Sequence, residues 1–286
     1  MDNNIKADII FAFLFLLILA NVFVWQFIFF LNNDFSITFF DVGQGDSFFI
    51  ETPQGHQILI DGGPGNRVLT KLGKAMPFWD RTLDLVILTH PESDHLSGLL
   101  EVLKRYQIKN ILWSGVERSA GIFEQWQEVL KEEKAKVVFA QAGQKIRAGK
   151  VSGDVLFPLK NLSGQFFDRG VNETSVVVLF NFQNNRFLFT GDIGKKEEKA
   201  LLDIGCNLKA DVLKVAHHGS KYSSSLEFLR AVLPQMAVIS CGANNTYGHP
   251  SKEVLNSLQE FAINVLRTDQ KGDIIITSDG SNFKYK

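Results

Sequence analysis

The chain has 286 residues, of which 45% are hydrophobic and 21% charged, with a formal net charge of −1 at pH 7. Such a length and apolar content are enough for one sizeable core and exclude a chain disordered by composition. The balanced charge excludes a globally basic nucleic-acid footprint, so any contact with a polyanion must rest on local charge.

In chain order, residues 8 to 31 come first. After Asp8 the run is apolar except for Asn21 and Gln26. At 1.5 Å per residue it is long enough to cross a hydrocarbon core of roughly 30 Å. Its length and aromatic exit predict an uncleaved anchor helix rather than a cleaved signal peptide. Lys6 and the free amine precede the run, and the next basic residue is Arg67. The positive-inside bias therefore predicts a cytoplasmic N-terminus and an extracytoplasmic remainder. The polar break Asn32-Asn33-Asp34 then divides an anchor, residues 1–33, from a folded domain, residues 34–286.

That domain opens with three short apolar stretches, Ile37–Val42, Ser47–Glu51 and Gln57–Ile60, separated by turn-forming Gly43-Gln-Gly45-Asp46 and Thr52-Pro-Gln-Gly55-His56. They predict strands joined as hairpins. A helical pattern over Gly65–Ala75 precedes a strand-like run from Leu83 to Leu88. This run leads into Ile87-Leu-Thr-His90-Pro-Glu92-Ser-Asp94-His95-Leu-Ser-Gly98, which places two imidazoles and two carboxylates within six residues. A strand that ends in a loop opening a helix presents side chains at one rim of a sheet. Imidazole and carboxylate in such a cluster suit a divalent cation. Taken alone, the cluster also fits a solvated loop with Asp94 capping the helix.

Strand and helix patterns then alternate: helix Leu96–Tyr106, strand Asn110–Trp113, helix Phe123–Glu133 and strand Lys136–Ala140. Residues 144 to 192 are strand-rich, with a hairpin of Ser175–Phe182 and Phe187–Thr190 around Gln183-Asn-Asn185. Alternation resumes with helix Lys195–Asp203, strand Asp211–Val215, helix Leu226–Val232, strand Ala237–Cys241 and helix Lys252–Phe261. Strands Asn264–Thr268, Asp273–Thr277 and Asn282–Tyr285 close the chain. The order argues for an α/β layered fold. The two cysteines, Cys206 and Cys241, form no C-x-x-C, so neither a zinc ribbon nor a redox motif is present, while a disulfide stays open. Cys241 reads as a small buried hydrophobe. Lysines 195, 196, 199, 209, 214 and 221 are interleaved with acidic residues and read as a solvated face.

Several of these pieces, in order, resemble the metallo-β-lactamase superfamily: Leu59-Ile-Asp61-Gly-Gly63, His-x-Glu-x-Asp-His at 90–95, Leu188-Phe-Thr-Gly-Asp192 and Val215-Ala-His217-His218-Gly-Ser220. Others look like the C-terminal hydrolase domain of ComEC-type DNA-uptake proteins: Phe40-Asp41-Val-Gly43-Gln-Gly45-Asp46-Ser47, Asn172-Glu-Thr-Ser175-Val and Tyr247-Gly-His249-Pro-Ser251. The resemblance covers about residues 36 to 286 and implies a four-layered αββα sandwich holding two divalent metal ions, manganese or zinc. It implies His90 as a ligand of the first site, Asp94 and His95 as ligands of the second, Asp192 as a bridging carboxylate and Asp61 as a support of the metal loop. Asp94 and Asp192 are the candidate catalytic carboxylates. Strand alternation favours His217 over His218 as the remaining ligand.

The sequence departs from the superfamily at two places. Glu92 stands where a second histidine is usual, and the segment Asn172-Glu173-Thr174-Ser175 lacks the expected third imidazole. Asn172 and Ser175 are the alternative ligands or supports there, and an oxygen-rich first site favours manganese. His249 and Ser251, at the start of a helical pattern, are the candidate phosphate-binding pair. The resulting expectation is a membrane-anchored, metal-dependent phosphodiesterase or nuclease acting on DNA outside the cytoplasm, either beside a separate DNA-channel protein or independently on extracellular DNA. The alternatives are hydrolysis of another ester or amide, including a β-lactam, and a catalytically silent module that binds metal or nucleic acid.

Overall fold

The structure is a computed structural model that describes residues 3–31 and 34–286; residues 32 and 33 of the polar break lie outside the described residues. The chain divides into two compact units at Asp34/Phe35. The first is helix α1 (Asn3–Leu31). Its segment Ile5–Gln26 is apolar over 22 residues with none of it buried, and has the length and composition to cross a membrane.

The second unit begins with β1 (Phe35–Phe39), β2 (Phe48–Glu51) and β3 (Gln57–Ile60), an antiparallel meander. Helix α2 (Arg67–Ala75), β4 (Thr82–Leu83), β5 (Leu85–Leu88) and α3 (Ser93–Leu103) follow. Next come β6 (Gln107–Ile108), β7 (Asn110–Trp113), α4 (Gly121–Glu132) and β8 (Lys136–Phe139). The second half runs β9 (Lys145–Ala148), β10 (Val151–Phe157), β11 (Val177–Phe182), β12 (Asn185–Phe189), α5 (Lys195–Asp203) and β13 (Val212–Lys214). It continues with α6 (Leu226–Val232), β14 (Met236–Ile239), α7 (Lys252–Glu260), β15 (Asn264–Arg267), the short α8 (Thr268–Lys271), β16 (Ile274–Ser278) and β17 (Phe283–Tyr285).

Two large sheets form, one of eight strands ordered β17-β16-β1-β2-β3-β5-β7-β8 and one of seven ordered β15-β14-β13-β12-β11-β10-β9, with a small parallel pair β4-β6 besides. The alternating burial of β1 turns Phe35, Ile37 and Phe39 inward. There Phe35 meets Phe182 and Phe187, and Phe39 meets Phe189, with ring centroids 4.9–5.8 Å apart. These rings join the sheets face to face; each fully buried Phe stabilises the sandwich by roughly 1.5–3 kcal/mol. Helices α2, α3 and α4 cover the outer face of the first sheet through Val68, Leu99 and Trp126. Helices α5, α6 and α7 cover that of the second through Leu201, Leu229 and Leu258. The result is the expected αββα order of layers. Strand β5 runs parallel to β3, and β13 parallel to β12, so the loops after them leave at shared rims.

Two local differences matter. Helix α3 starts at Ser93 rather than Leu96, which puts Asp94 and His95 in its first turn. Both cysteines are free thiols: Cys241 is buried among apolar neighbours, as expected, and there is no disulfide between the pair.

Candidate metal centre

From the first sheet, β5 delivers Thr89 and His90 to the rim, and Pro91 and Glu92 lead into α3 with Glu92 at the N-cap in extended conformation. The carboxylate of Asp94 lies in the first helical turn, where the helix dipole favours negative charge. Asp61, just past β3, is buried and accepts hydrogen bonds from the Thr89 backbone N–H at 2.8 Å, the Thr89 hydroxyl at 2.7 Å and His95 Nδ1 at 2.8 Å. Asp61 therefore orients His95 through Nδ1. Burial pushes the Asp61 carboxyl up, against the opposing pull of His95.

From the second sheet come Asp192, after β12, and His218, after β13. Asp192 Oδ2 lies 3.4 Å from His95 Nε2 and 3.3 Å from His218 Nε2. His218 Nε2 is also 3.3 Å from Asp94 Oδ2. Despite burial, which alone would raise it, the Asp192 carboxyl is held well below the usual range by His218, His95 and Lys214. Conversely, burial alone would lower His95 and His218, but the surrounding carboxylates win. His95 is raised well above its ordinary value, and Asp192 and Asp46 lift His218 to about 10.

These residues fit a cation. His218 Nδ1 donates to the Ser240 carbonyl at 2.9 Å, His95 Nδ1 is tied to Asp61, and His90 Nδ1 lies 3.1 Å from the Thr89 hydroxyl. In each ring Nε2 is buried without a hydrogen-bond partner. An imidazole fixed through one nitrogen and free at the other is the arrangement of a metal-bound histidine. Ligand atoms of His90, His95 and Asp192 lie mutually close, as do those of Asp94, His95 and His218, and of Asp46, Asp192 and His218.

Several expected residues stand elsewhere. Among the described residues, neither His217 nor Glu92 belongs to a cluster of potential metal ligands; His218 does. His217 is partly exposed, with Nε2 3.3 Å from Asn172 Nδ2, and its ring is 5.6 Å from that of His249. The reason is backbone geometry. Both histidines have positive φ, 51° and 53°, so the chain has left the extended conformation on which alternation depends. Glu92 lines the same cleft as His90 but is paired with Arg118 at 2.8 Å, so its carboxylate is held by the guanidinium rather than grouped with the imidazoles. Ser175 accepts from the Asp192 backbone N–H at 3.0 Å and so fixes the loop rather than facing the cations. The hydroxyl of Ser251 caps α7 by accepting from Val254 N–H, which leaves its own proton available to donate, while its backbone N–H is bound to the Gly219 carbonyl. His249 does line the cleft, a space of about 400 Å³ over Asp94, Asp192 and His218. Burial and the neighbouring histidines lower it to about 4.

Two functional residues were not assigned a role from the sequence. Lys214 is fully buried, not part of a solvated face, and is paired with Asp46 and with Asp192 Oδ1 at 3.3 Å. Its ammonium also donates to the Gly191 carbonyl at 2.9 Å. Asp192 thus turns Oδ2 to the imidazoles of His95 and His218 while Oδ1 faces Lys214. Asp46 sits beneath the centre, 3.4 Å from His218 Nδ1, held low in spite of burial by Lys214 and His218. The signal for Lys214 was present: a lone lysine inside the apolar run Val212–Ala216, directly before the histidine pair.

Comparison with known proteins agrees with this picture. Residues 40–243 match the family described as the Metallo-beta-lactamase superfamily. The ComE operon protein 3 of Bacillus subtilis is 33% identical over 269 residues, covering 85% of this chain and 33% of that protein. The competence protein ComA of Neisseria gonorrhoeae is 31% identical, covering 84% of this chain and 32% of that protein. The chain thus spans about a third of the length of these curated relatives. Among solved structures, the metallo-beta-lactamase fold protein YhfI from Bacillus subtilis superposes with a TM-score of 0.58 at 15% identity, over 86% of this chain and 100% of that one.

Proposed function

The chain belongs to the metallo-β-lactamase superfamily, and from that premise we propose that it is a membrane-anchored, metal-dependent phosphodiesterase that cleaves DNA strands outside the cytoplasm. The observation that carries the reading is the set of three imidazoles, His90, His95 and His218, each anchored at Nδ1 and unpartnered at a buried Nε2 beside Asp94 and Asp192. In this reading Asp94, His95 and His218 would hold one cation, and His90 and Asp192 would help to hold a second. Two bound divalent cations would supply acidified water and offset charge on the attacked and leaving oxygens.

The chain's own residues do the rest. Asp61 keeps His95 in the tautomer that leaves Nε2 free, and Thr89 locks Asp61 in place. Lys214 neutralises part of the charge of Asp46 and Asp192 and fixes the orientation of Asp192. Asn172, His217 and His249 converge on the cleft mouth, where they are placed to hydrogen-bond a phosphate oxygen or a leaving group.

Two observations support DNA as the substrate. One of the relatives, ComA of Neisseria gonorrhoeae, is named as a competence protein. Tyr247, 70% exposed, stacks against His249 at the cleft with centroids 5.9 Å apart, and exposed aromatic faces of this kind bind unpaired bases. A separate DNA-channel protein is the partner this function calls for.

The test is turnover of single-stranded DNA, a chromogenic phosphodiester and a β-lactam by the full chain in detergent, with manganese, zinc or chelator. Metal-dependent cleavage of the two phosphodiesters is expected. Cleavage of the β-lactam alone, or bound metal with no turnover of any ester, overturns the reading.

A further inference from the structure

We propose that the edge of the sandwich opposite the metal centre is a membrane-contact surface, with Phe78 and Trp79 inserted into the lipid interface. This rests on the anchoring role given to α1 above and extends it to the folded domain.

The inference starts from a pair of side chains that folding leaves uncovered. Phe78 is 81% and Trp79 61% exposed, and their rings stack edge to face with centroids 4.8 Å apart. They follow α2, whose buried Val68 and Leu72 pack it on the first sheet, and they sit between buried Met76 and Asp80. No core is left partly built around them. Two adjacent large aromatics held in water by a rigid turn form an apolar projection rather than scattered surface residues.

Their place in the fold says what covers them. The loop is tied down by Gln57 Nε2, which donates to Asp80 Oδ2 at 3.0 Å. Gln57 opens β3, and its register partner Glu51 ends β2 and also pairs with Ser36 of β1. Phe78 and Trp79 therefore stand at the edge where β1 begins, which is where the chain joins the domain at Phe35. Only three residues separate Leu31, the last residue of α1, from Phe35. The four Cα-to-Cα steps reach at most about 14 Å when fully extended. Covalent connection thus keeps this edge near the surface of any membrane that α1 crosses.

Two further apolar side chains mark the same edge in the other helical layer. Ile204, 54% exposed, caps α5, and Leu233, 59% exposed, caps α6; both helices run from the metal rim down to this edge. Trp and Phe are the side chains that partition to the headgroup boundary, where a large ring sits among acyl chains and the indole N–H stays hydrated. The consequence is orientation: with this edge on the bilayer, the opposite rim, carrying Asp94, Asp192 and His218, opens to the aqueous side.

The experiment uses the full chain reconstituted in vesicles whose lipids carry bromine on acyl carbons near the headgroup, and compares it with Trp79→Phe. The difference in tryptophan emission between the two isolates Trp79 from Trp25, Trp113 and Trp126. Quenching and a blue shift of that difference signal, relative to unbrominated vesicles and detergent, are expected. A Trp79 signal that is unquenched and water-like in a chain resistant to alkaline carbonate overturns the inference while leaving the anchor intact. Release of the chain by carbonate overturns both.

Discussion

His217 and His218 are neighbours of identical chemistry, yet one lies among carboxylates and the other at the cleft mouth. Their left-handed backbone, not their spacing, separates them. The consequence for metal binding is electrostatic. Burial opposes a charged imidazole, but the carboxylates around His95 and His218 raise both, His218 to about 10, so near neutral pH each ring carries a proton where a cation would bind. A ligating imidazole must be neutral, so metal uptake displaces those protons and the affinity rises with pH. Calorimetric titration with manganese at pH 7, in two buffers of different ionisation enthalpy, should show net proton release. A heat independent of the buffer would contradict this. The same scale explains what the sequence concealed. Glu92 occupies the position of a ligand in the motif, but its partner is Arg118, which is remote in the chain and carries no mark of the pairing.

At the scale of elements, α3 carries Asp94 and His95 to the rim and is held against the loop after β3 by two glycines. A Cβ on Gly98 would collide with the Gly62 carbonyl oxygen, and one on Gly62 with the Leu99 backbone nitrogen. Gly98→Ala should therefore cost about 1–3 kcal/mol as the helix is forced outward. It should also weaken metal binding by shifting Asp94 and His95, read as a lower melting temperature together with a raised manganese Kd. Unchanged values for both would show that the close approach is not needed. Away from the centre, Asp84 accepts from Gln57 N–H at 2.9 Å and Lys109 at 2.7 Å. Burial tends to raise its carboxyl, but Lys109 and the Gln57 N–H hold it below its ordinary value of 3.8. A depressed folded pKa gives stability that is present above that value and lost as pH falls through the lower one. Asp84→Asn should accordingly flatten the acid limb of melting temperature against pH; an unaltered limb would contradict the assignment. Helices and strands were mostly legible because their apolar periods differ, as in α7 with Val254 and Leu258 and β1 with Phe35, Ile37 and Phe39. Lys214 was misread because β13 is an interior strand of its sheet, where both faces are buried and a charge no longer marks solvent.

At the scale of the molecule, the sandwich has two contrasting edges: a rim where loops from both sheets bring buried imidazoles and carboxylates together, and an opposite edge where the chain enters at Phe35. The apolar run of α1 and the layered order of the domain were both readable in advance, since each depends on long patterns. The assembly of the rim was readable only through motif order, because Asp61, His95, Asp192 and His218 are distant in sequence and meet only when the sheets pack. The most direct test is equilibrium binding of manganese to the full chain, followed by electron paramagnetic resonance, for wild type, Asp94→Asn, His218→Ala and His217→Ala. Retained binding in His217→Ala, with weakened or lost binding in Asp94→Asn and His218→Ala and native melting in all, is the predicted result. Wild-type affinity in His218→Ala, or loss confined to His217→Ala, would contradict it.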